Sequence, residues 1–431
     1  MRRVAVALCL LSIGSSAWSD EDLLARVDRA AAQVEPKVVA WRRDIHAHPE
    51  LSNREFRTSD LVAKHLATLS IEVQRGVAHT GVVGLLRGGR PGPVVALRAD
   101  MDALPVAEET GLPFASTAKS EYQGRTVSVM HACGHDNHTA ILMGVATVLA
   151  GLRDQLPGTV KFIFQPAEEG APTGEEGGAA MMVREGVLEN PHVDAVFGLH
   201  VMQIGAVGEA FYRPLGAMAA SARFDVTVHG RQTHGAMPWA GVDPIVVGAA
   251  IVTELQTIVS RRVDITAAPA VVTVGSFNAG VRNNIVPEEA LLSCTIRTFD
   301  PAVTEFVREQ VRKIATGVGE SMGASVDVKI GKGNPVTFND PALTAAMVPS
   351  LVRVYGAEHV RETRPITAAE DFSFYQEKVP GLFFFVGVRD PAVPVAEAVP
   401  NHSPRFDADE RALENAVRAM ASLAVDFLTG S

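Results

Sequence analysis

The stretch MHACGHDNHTA, Met130 to Ala140, places three histidines, a cysteine and an aspartate within eight positions. Thiolate, imidazole and carboxylate are the side chains that hold zinc and similar transition metals. Four further polar clusters carry the same types: RADMDALP from Arg98, QPAEEG from Gln165, His200 in GLH, and NHSPRFD around His402. Singly, each is weak. An isolated histidine such as His200 is more often a satisfied, partly buried side chain than a ligand. Adjacent glutamates such as Glu168 and Glu169 are common on solvated loops, and Asp100 and Asp102 can simply cap a turn. His131 and His135 have the i, i+4 spacing of a zinc pair on a helix, but Gly134 argues against a helix there.

A vicinal Glu-Glu at the end of a strand nevertheless has a use in a hydrolase. Neighbouring side chains of extended backbone point opposite ways, so one carboxylate can bind a metal while the other faces the water that metal polarises. A bound ion lowers the pKa of that water toward ~7, and a nearby base can take the proton and hand it to a leaving nitrogen.

These clusters need a frame that gathers them. Strand-like runs at 71–77, 82–86, 93–100 (PVVALRAD), 159–164 (TVKFIF) and 194–200 (DAVFGLH) alternate with helical patterns at 21–48, 54–69, 137–152 and 176–187. The 137–152 helix is expected to be capped by Asp136 or Asn137. Continuous apolar strands separated by helices predict an α/β fold, a mostly parallel sheet with helices on both faces. In such sheets ligands bind beyond the carboxyl ends of the strands, where these clusters fall. From about 222 the order becomes β-α-β-β-α-β, the split pattern of a ferredoxin-like α+β domain. A helix at 341–355, the strand GLFFFVGV at 381–388 and a helix at 409–428 follow. The expected organisation is a discontinuous catalytic domain, 20–212 and 331–431, interrupted by an inserted domain, 213–330.

Composition narrows the partners. The 431 residues carry a net charge of -10, which argues against nucleic acid, since a polyanion needs a basic surface. Small-molecule substrates are expected. Arg2 and Arg3 precede an apolar run from Val4 to Ile13 and then Ser15, Ser16, Ala17 and Ser19, the pattern of a secretory signal over 1–19, with a retained anchor as the alternative. Export to the periplasm or medium is expected. No later stretch reads as apolar enough to cross a bilayer, so no stable span is expected after processing. Cys133 and Cys294 then remain in a compartment that permits disulfides. A bridge between them is disfavoured, because Cys294 lies in the strand-like ALLSCTIRTF, where cysteine acts as a small hydrophobe.

DIHAHPELS, LRADMDALP, MHACGHDNHTA, QPAEEG, GLH, THGAMPWAGVDP, NIVPEEA, IRTFD, AAEDFSFY and NHSPRFD occur in order over nearly the whole chain after residue 20. Together they resemble the aminoacylase/carboxypeptidase family of two-metal amidohydrolases, in the branch of hippurate hydrolases, N-acetyldiaminopimelate deacetylases and auxin-conjugate hydrolases. The resemblance implies two divalent ions per chain, bridged by Cys133. His135 and His200 would complete one ion's ligands, and Glu169 and His402 the other's. Glu168 would be the general base. Asp100 would support the metal-binding region rather than ligate, and His131 and His138 would pack around it. Many relatives use an aspartate as the bridge and a histidine where this chain has Arg98. The thiolate makes zinc the first expectation, with manganese, cobalt or nickel as alternatives.

The resemblance further implies that His234 steadies the substrate oxygen as it becomes negative, and that Asn284 and Arg297 bind substrate. Arg297 would grip an α-carboxylate bidentately, or else form an ordinary surface ion pair. The inserted domain would act as a lid and as a homodimer interface, in some relatives lending its histidine to the partner's site. The expected activity is hydrolysis of the amide of an N-acyl amino acid or similar small conjugate. The alternatives are a dipeptidase or carboxypeptidase using the same site, and a periplasmic binding protein that has lost the reaction.

Overall fold

A computed structural model describes residues 20–430, so the signal-peptide reading and Cys9 lie outside the described residues. Helices α1 (Asp20–Ala47) and α2 (Phe56–Thr68) lead into strands β1 (Glu72–Val77), β2 (Gly81–Arg87) and β3 (Arg90–Asp100). A hairpin, β4 (Lys119–Tyr122) and β5 (Arg125–Ser128), precedes α3 (His135–Ala150), β6 (Pro157–Gln165), α4 (Gly178–Arg184), β7 (Ala195–Ala206), β8 (Ala210–Tyr212) and β9 (Leu215–Met218). Next come β10 (Ala220–His229), β11 (Thr233–His234), α5 (Pro244–Thr257), β12 (Ala270–Ala279), β13 (Ile285–Val286), β14 (Glu289–Thr298), α6 (Pro301–Ser321) and β15 (Ser325–Ile330). The chain closes through β16 (Thr337–Asn339), α7 (Pro341–Tyr355), β17 (Val360–Glu362), α8 (Ser373–Gln376), β18 (Gly381–Arg389) and α9 (Leu413–Thr429).

Eight strands form one sheet in the order β1-β2-β6-β3-β7-β18-β8-β17. The central four, β6, β3, β7 and β18, run parallel; β2 is antiparallel to both β6 and the edge strand β1, and β8 is antiparallel to β18. Helices α1, α3 and α9 pack on one another and cover one face, while α4 and α8 close the other. That double cover explains the sequence of β18, GLFFFVGVR, in which all nine residues are buried. The α/β architecture expected from the sequence is therefore the one observed.

A second sheet, β12-β14-β10-β15, is antiparallel throughout and has its own core. Burial alternates along β10 and β14, as a sheet covered by helices on one face requires. Helices α5 and α6 supply that cover. The two connections to the large sheet run side by side, β9 pairing with β16.

Two sequence expectations are corrected. The segment Pro244–Arg262, 19 residues with a mean hydropathy of 1.2, is long and apolar enough to cross a bilayer. Its Val247, Ile251, Leu255 and Ile258 are nevertheless buried in the second core, which accounts for their apolarity. Helix α3 begins at His135, not 137, and neither Asp136 nor Asn137 caps it. Gly134 stands at the cap instead, with φ of 99°, and an added Cβ there would lie 2.5 Å from a Val201 methyl.

Candidate metal centre and active site

The site is assembled beyond the ends of β3 and β6 and beside His200 in the middle of β7, a strand that continues past the expected end at 200 to Ala206. The chain leaves β3 at Asp100 and reaches Asp102, whose carboxylate organises the end of β6. Its Oδ1 accepts the Glu168 N–H at 3.0 Å, and its Oδ2 accepts the Glu169 N–H at 3.1 Å and the Ser52 hydroxyl at 2.7 Å. Just before them Ala167 takes a left-handed φ of 55° and donates its N–H to Glu55 at 2.9 Å. Both glutamates are thus positioned through their own backbone by one buried acid, Asp102, while Glu55 fixes the residue before them. From the sequence alone, Asp102 reads only as a turn cap. Its one local signal was the spacing RADMD, two aspartates straddling a buried strand end.

Cys133 lies immediately before the α3 cap, where the positive end of the helix favours a thiolate. It is buried and free, as is Cys294, so no bridge joins them. The Cys133 Sγ is 3.3 Å from His200 Nε2 and 3.2 Å from His402 Nε2, and His402 Nε2 is 3.1 Å from Glu169 Oε1. His135 Nδ1 donates to the Asp102 carbonyl at 2.8 Å, and His200 Nδ1 to the Val201 carbonyl at 2.8 Å. Each imidazole therefore presents Nε2 inward, the arrangement of a metal-ligating histidine. The donor atoms of Cys133, His135 and His200 all lie within 4.8 Å of one another, as do those of Cys133, Glu169 and His402.

The electrostatics call for positive charge at this point. The His135 Nε2 is buried without a hydrogen-bond partner. Burial disfavours a charged His135, yet Asp100 and Asp102 overcome it and hold the imidazole at about 10. Burial, then Glu169 and Glu168, push the Cys133 thiol well above its usual range. Burial, then Glu370 and Glu169, do the same to the Glu168 carboxyl. A thiol and carboxylates packed this closely reach their anionic, ligating forms only when cations offset their repulsion. The residues fit a pair of soft-to-borderline divalent ions, and Glu168, whose Oε2 is 4.0 Å from His135 Nε2, sits beside them.

Behind this cluster of donor side chains lies a network joining distant parts of the chain. Arg98, fully buried, meets Asp100 at 2.7 Å, Glu370 at 2.9 Å and Asp371 at 3.0 Å. Asp100 also accepts from His138 Nδ1 at 2.6 Å, and His138 Nε2 accepts the Val201 N–H at 2.9 Å, so β3, α3 and β7 are tied together. His138 is thereby fixed as a neutral spacer, and burial lowers its pKa accordingly. Asp136, next to His135, is held by Arg42 at 3.0 Å and His46 at 2.8 Å from α1. His131 is buried, and neither ring nitrogen has a hydrogen-bond partner among the described residues.

The other sequence-derived candidates lie apart from this cluster. His234 and Asn284 are neighbours on the small β11–β13 ladder; the Asn284 carbonyl accepts the Gly235 N–H at 2.8 Å, and His234 Nδ1 accepts the Ala236 N–H at 3.0 Å. Arg297 sits near the far end of β14, eight residues beyond Glu289, about 26 Å along the strand at ~3.3 Å per residue. Among the described residues it makes no ion pair, and it donates to the Ile296 carbonyl at 2.9 Å. One chain therefore does not bring Arg297 together with His234 and Asn284.

Residues 96–426 match the model of peptidase family M20/M25/M40. The chain belongs to this family. Among its relatives, thermostable carboxypeptidase 1 of Saccharolobus solfataricus is 38% identical over 408 residues, covering 94% of this chain and 99% of that protein. The N-acyl-L-amino acid amidohydrolase of Geobacillus stearothermophilus is 42% identical over 317 residues, covering 73% of this chain and 80% of the relative. Among solved structures, the Bacillus subtilis YXEP protein, described as a dinuclear metal-binding peptidase of the M20 family, superposes with a TM-score of 0.76 at 33% identity. That match covers 92% of this chain and 99% of the other.

Proposed function

We propose that this M20-family chain, a hydrolase of C–N amide bonds, cleaves N-acyl amino acids or similar small conjugates with two divalent ions. Cys133, His135 and His200 would hold one ion, and Cys133, Glu169 and His402 the other. Zinc is the first choice for a site containing a thiolate, before manganese, cobalt or nickel. When bound, such ions polarise both a water and the scissile carbonyl.

The remaining work falls to the chain's own groups. Glu168 takes the water's proton and delivers it to the leaving nitrogen, and its raised proton affinity suits that transfer. The observation that carries the reading is that Glu168 stands within reach of the ligand set while the same Asp102 carboxylate positions it and Glu169. Glu168→Gln should lower kcat by at least ~10²-fold with metal content retained. Unchanged turnover in that variant overturns the assignment. A carboxypeptidase reading is favoured by the Saccharolobus relative's name; comparing hydrolysis of N-acyl amino acids with that of dipeptides by the metal-loaded enzyme separates the two.

Residues 213–330 are proposed to form a lid over the catalytic domain (20–212 and 331–431), moving about the paired β9 and β16 crossovers. His234 would steady the developing oxyanion, and Asn284 and Arg297 would bind substrate. The separation of His234 from Arg297 favours a homodimer in which His234 serves the partner's site. Exposed Met237 and Trp239, three and five residues beyond that histidine, support such an interface. Trp239→Glu should then yield monomers by sedimentation and lose activity with them. Export is proposed from the 1–19 sequence pattern alone.

A further inference from the structure

The motif DIHAHPELS ends at Ser52, and Asn53, Arg54 and Glu55 follow it into α2. These few residues hold both ends of the loop between β6 and α4 that carries Glu168 and Glu169. At the start of the loop Glu55 Oε1 accepts the Ala167 N–H at 2.9 Å. Near its end Asn53 Nδ2 donates to the Glu176 carbonyl at 3.0 Å and to Glu175 Oε2 at 3.1 Å. Ser52 meanwhile donates to the Asp102 carboxylate that accepts the N–H groups of both glutamates. The returning loop passes so near that a Cβ added at Gly177 would lie 2.7 Å from Asn53 Oδ1. The clasp is anchored in turn on α2, because Glu50 accepts the N–H groups of Arg57 and Thr58 at 2.8 Å each.

We propose that Glu55 is a positioning residue for hydrolysis, setting through the Ala167 N–H the turn that aims Glu168 at the donor cluster. The inference rests on Glu168 being the general base, as read above. Ala167 has a left-handed φ of 55°, a conformation that strains a residue bearing a Cβ and persists only where its surroundings hold it. The group that holds it is Glu55. Ala167 is buried, so without that acceptor its N–H would lack both a partner and water, and the turn would relax toward ordinary backbone. Glu168 is the next residue, so relaxation moves its carboxylate first. Asp102 would still hold the N–H groups of Glu168 and Glu169, so the expected damage is misalignment rather than loss of the donor set.

The same contacts decide which substitutions are tolerated. Among the described residues Glu55 Oε1 accepts two N–H groups, from Asn53 at 3.0 Å and from Ala167, while Oε2 accepts the Thr80 hydroxyl. A glutamine amide reproduces this arrangement, its oxygen facing the two N–H groups and its nitrogen donating to Thr80 Oγ1. Burial and Asp102 raise the Glu55 carboxyl to about 8, so at neutral pH it is mostly uncharged, as glutamine is. Aspartate keeps the carboxyl but is one methylene shorter, which withdraws the oxygens from Ala167. Methionine keeps the length and removes the acceptor.

The test compares kcat, KM and bound metal of the metal-loaded enzyme for one N-acetyl amino acid in the wild type, Glu55→Gln, Glu55→Asp, Glu55→Met and Glu168→Gln. Displacing a reacting group by about 1 Å can cost ~10²-fold, so Glu55→Asp should lower kcat by about 10- to 100-fold while KM and metal content change little. Glu55→Met should do the same, and it decides the matter where the aspartate variant does not fold. Glu55→Gln should restore kcat to within a few-fold of wild type. Wild-type kcat in the aspartate or methionine variant, or an equal loss in the glutamine variant, overturns the positioning role. So does a loss of metal in step with activity, because Glu55 would then serve the ion site as a whole. In each of these cases a low kcat in Glu168→Gln leaves the hydrolase reading in place. If Glu168→Gln turns over like the wild type, the parent reading fails and this one with it.

Discussion

Arg98→Leu should be among the most damaging substitutions away from the ligands, and its cost should depend on pH. The guanidinium meets three acids at 2.7, 2.9 and 3.0 Å, and neither it nor Asp100, Glu370 or Asp371 has appreciable exposure. Removing one partner of a buried ion pair leaves uncompensated charge and costs about 3–5 kcal/mol. The acids can escape by taking up protons. Even against the pull of Arg98, burial raises Glu370 to about 8 and Asp371 to about 6. Without the arginine both rise further.

A carboxyl whose folded pKa lies above its unfolded value favours the fold while protonated. That support fades as pH climbs from the unfolded value, ~4 for these groups, through the folded one. The deficit of the variant should therefore be small near pH 5, where both acids are protonated with or without Arg98, and much larger near pH 8. Unfolding entropy of ~2.1 cal/mol/K per residue, over the roughly 290 residues around the large sheet, gives about 0.6 kcal/mol per degree. The melting temperature near pH 8 should fall by about 5–8 °C, read by calorimetry on both proteins in the same metal state. A drop under about 2 °C near pH 8, or an equal drop near pH 5, would refute the claim that Arg98 neutralises these carboxylates.

Three further outcomes follow from the same geometry. Burial opposes a charged His46, but Asp136 and then Glu108 raise it to about 9, so its contribution is full below ~6.5 and is lost as pH rises through 9. His46→Gln should thus lose up to about 3 kcal/mol near pH 6 and little near pH 10 in denaturant titrations, and a pH-independent loss would contradict this. Gly134→Ala should cost about 1–3 kcal/mol through its left-handed φ and the Val201 contact, and it should lower bound metal in elemental analysis by displacing Cys133 and His135. Cys133→Ser should weaken metal retention on dialysis by at least ~10-fold, since a hydroxyl replaces a thiolate shared by both donor sets; full retention would show that the sulfur is not a ligand.

Much of the candidate site was legible because its chemistry is written locally. Cys133 and His135 sit two residues apart at a helix start, Glu168 and Glu169 follow an apolar strand, and His200 lies within one. These are residue types that a packed interior rejects unless they are used or paired. The alternation of apolar strands and helices likewise carried the α/β sheet, and the β-α-β-β-α-β order carried the second one. What stayed hidden depends on contacts between distant residues. Asp371 lies 273 positions from Arg98, and no periodicity connects them. Asp102 could be read only as a turn residue, because the backbone it holds belongs to another strand.

The sequence by itself determined which side chains carry metal-binding and proton-transferring chemistry, and that Asp100 and the Glu168–Glu169 pair stand at the ends of apolar strands, since burial pattern and residue chemistry are local properties. Tertiary structure decided the rest: that Asp102 grips both glutamates, that Arg98 neutralises three acids, that α3 starts at His135 behind a left-handed glycine, and that His234 stands a strand's length from Arg297. Each of these is set by how separate elements pack, and the physical reason is that hydrogen bonds and ion pairs across a core depend on spatial rather than chain distance.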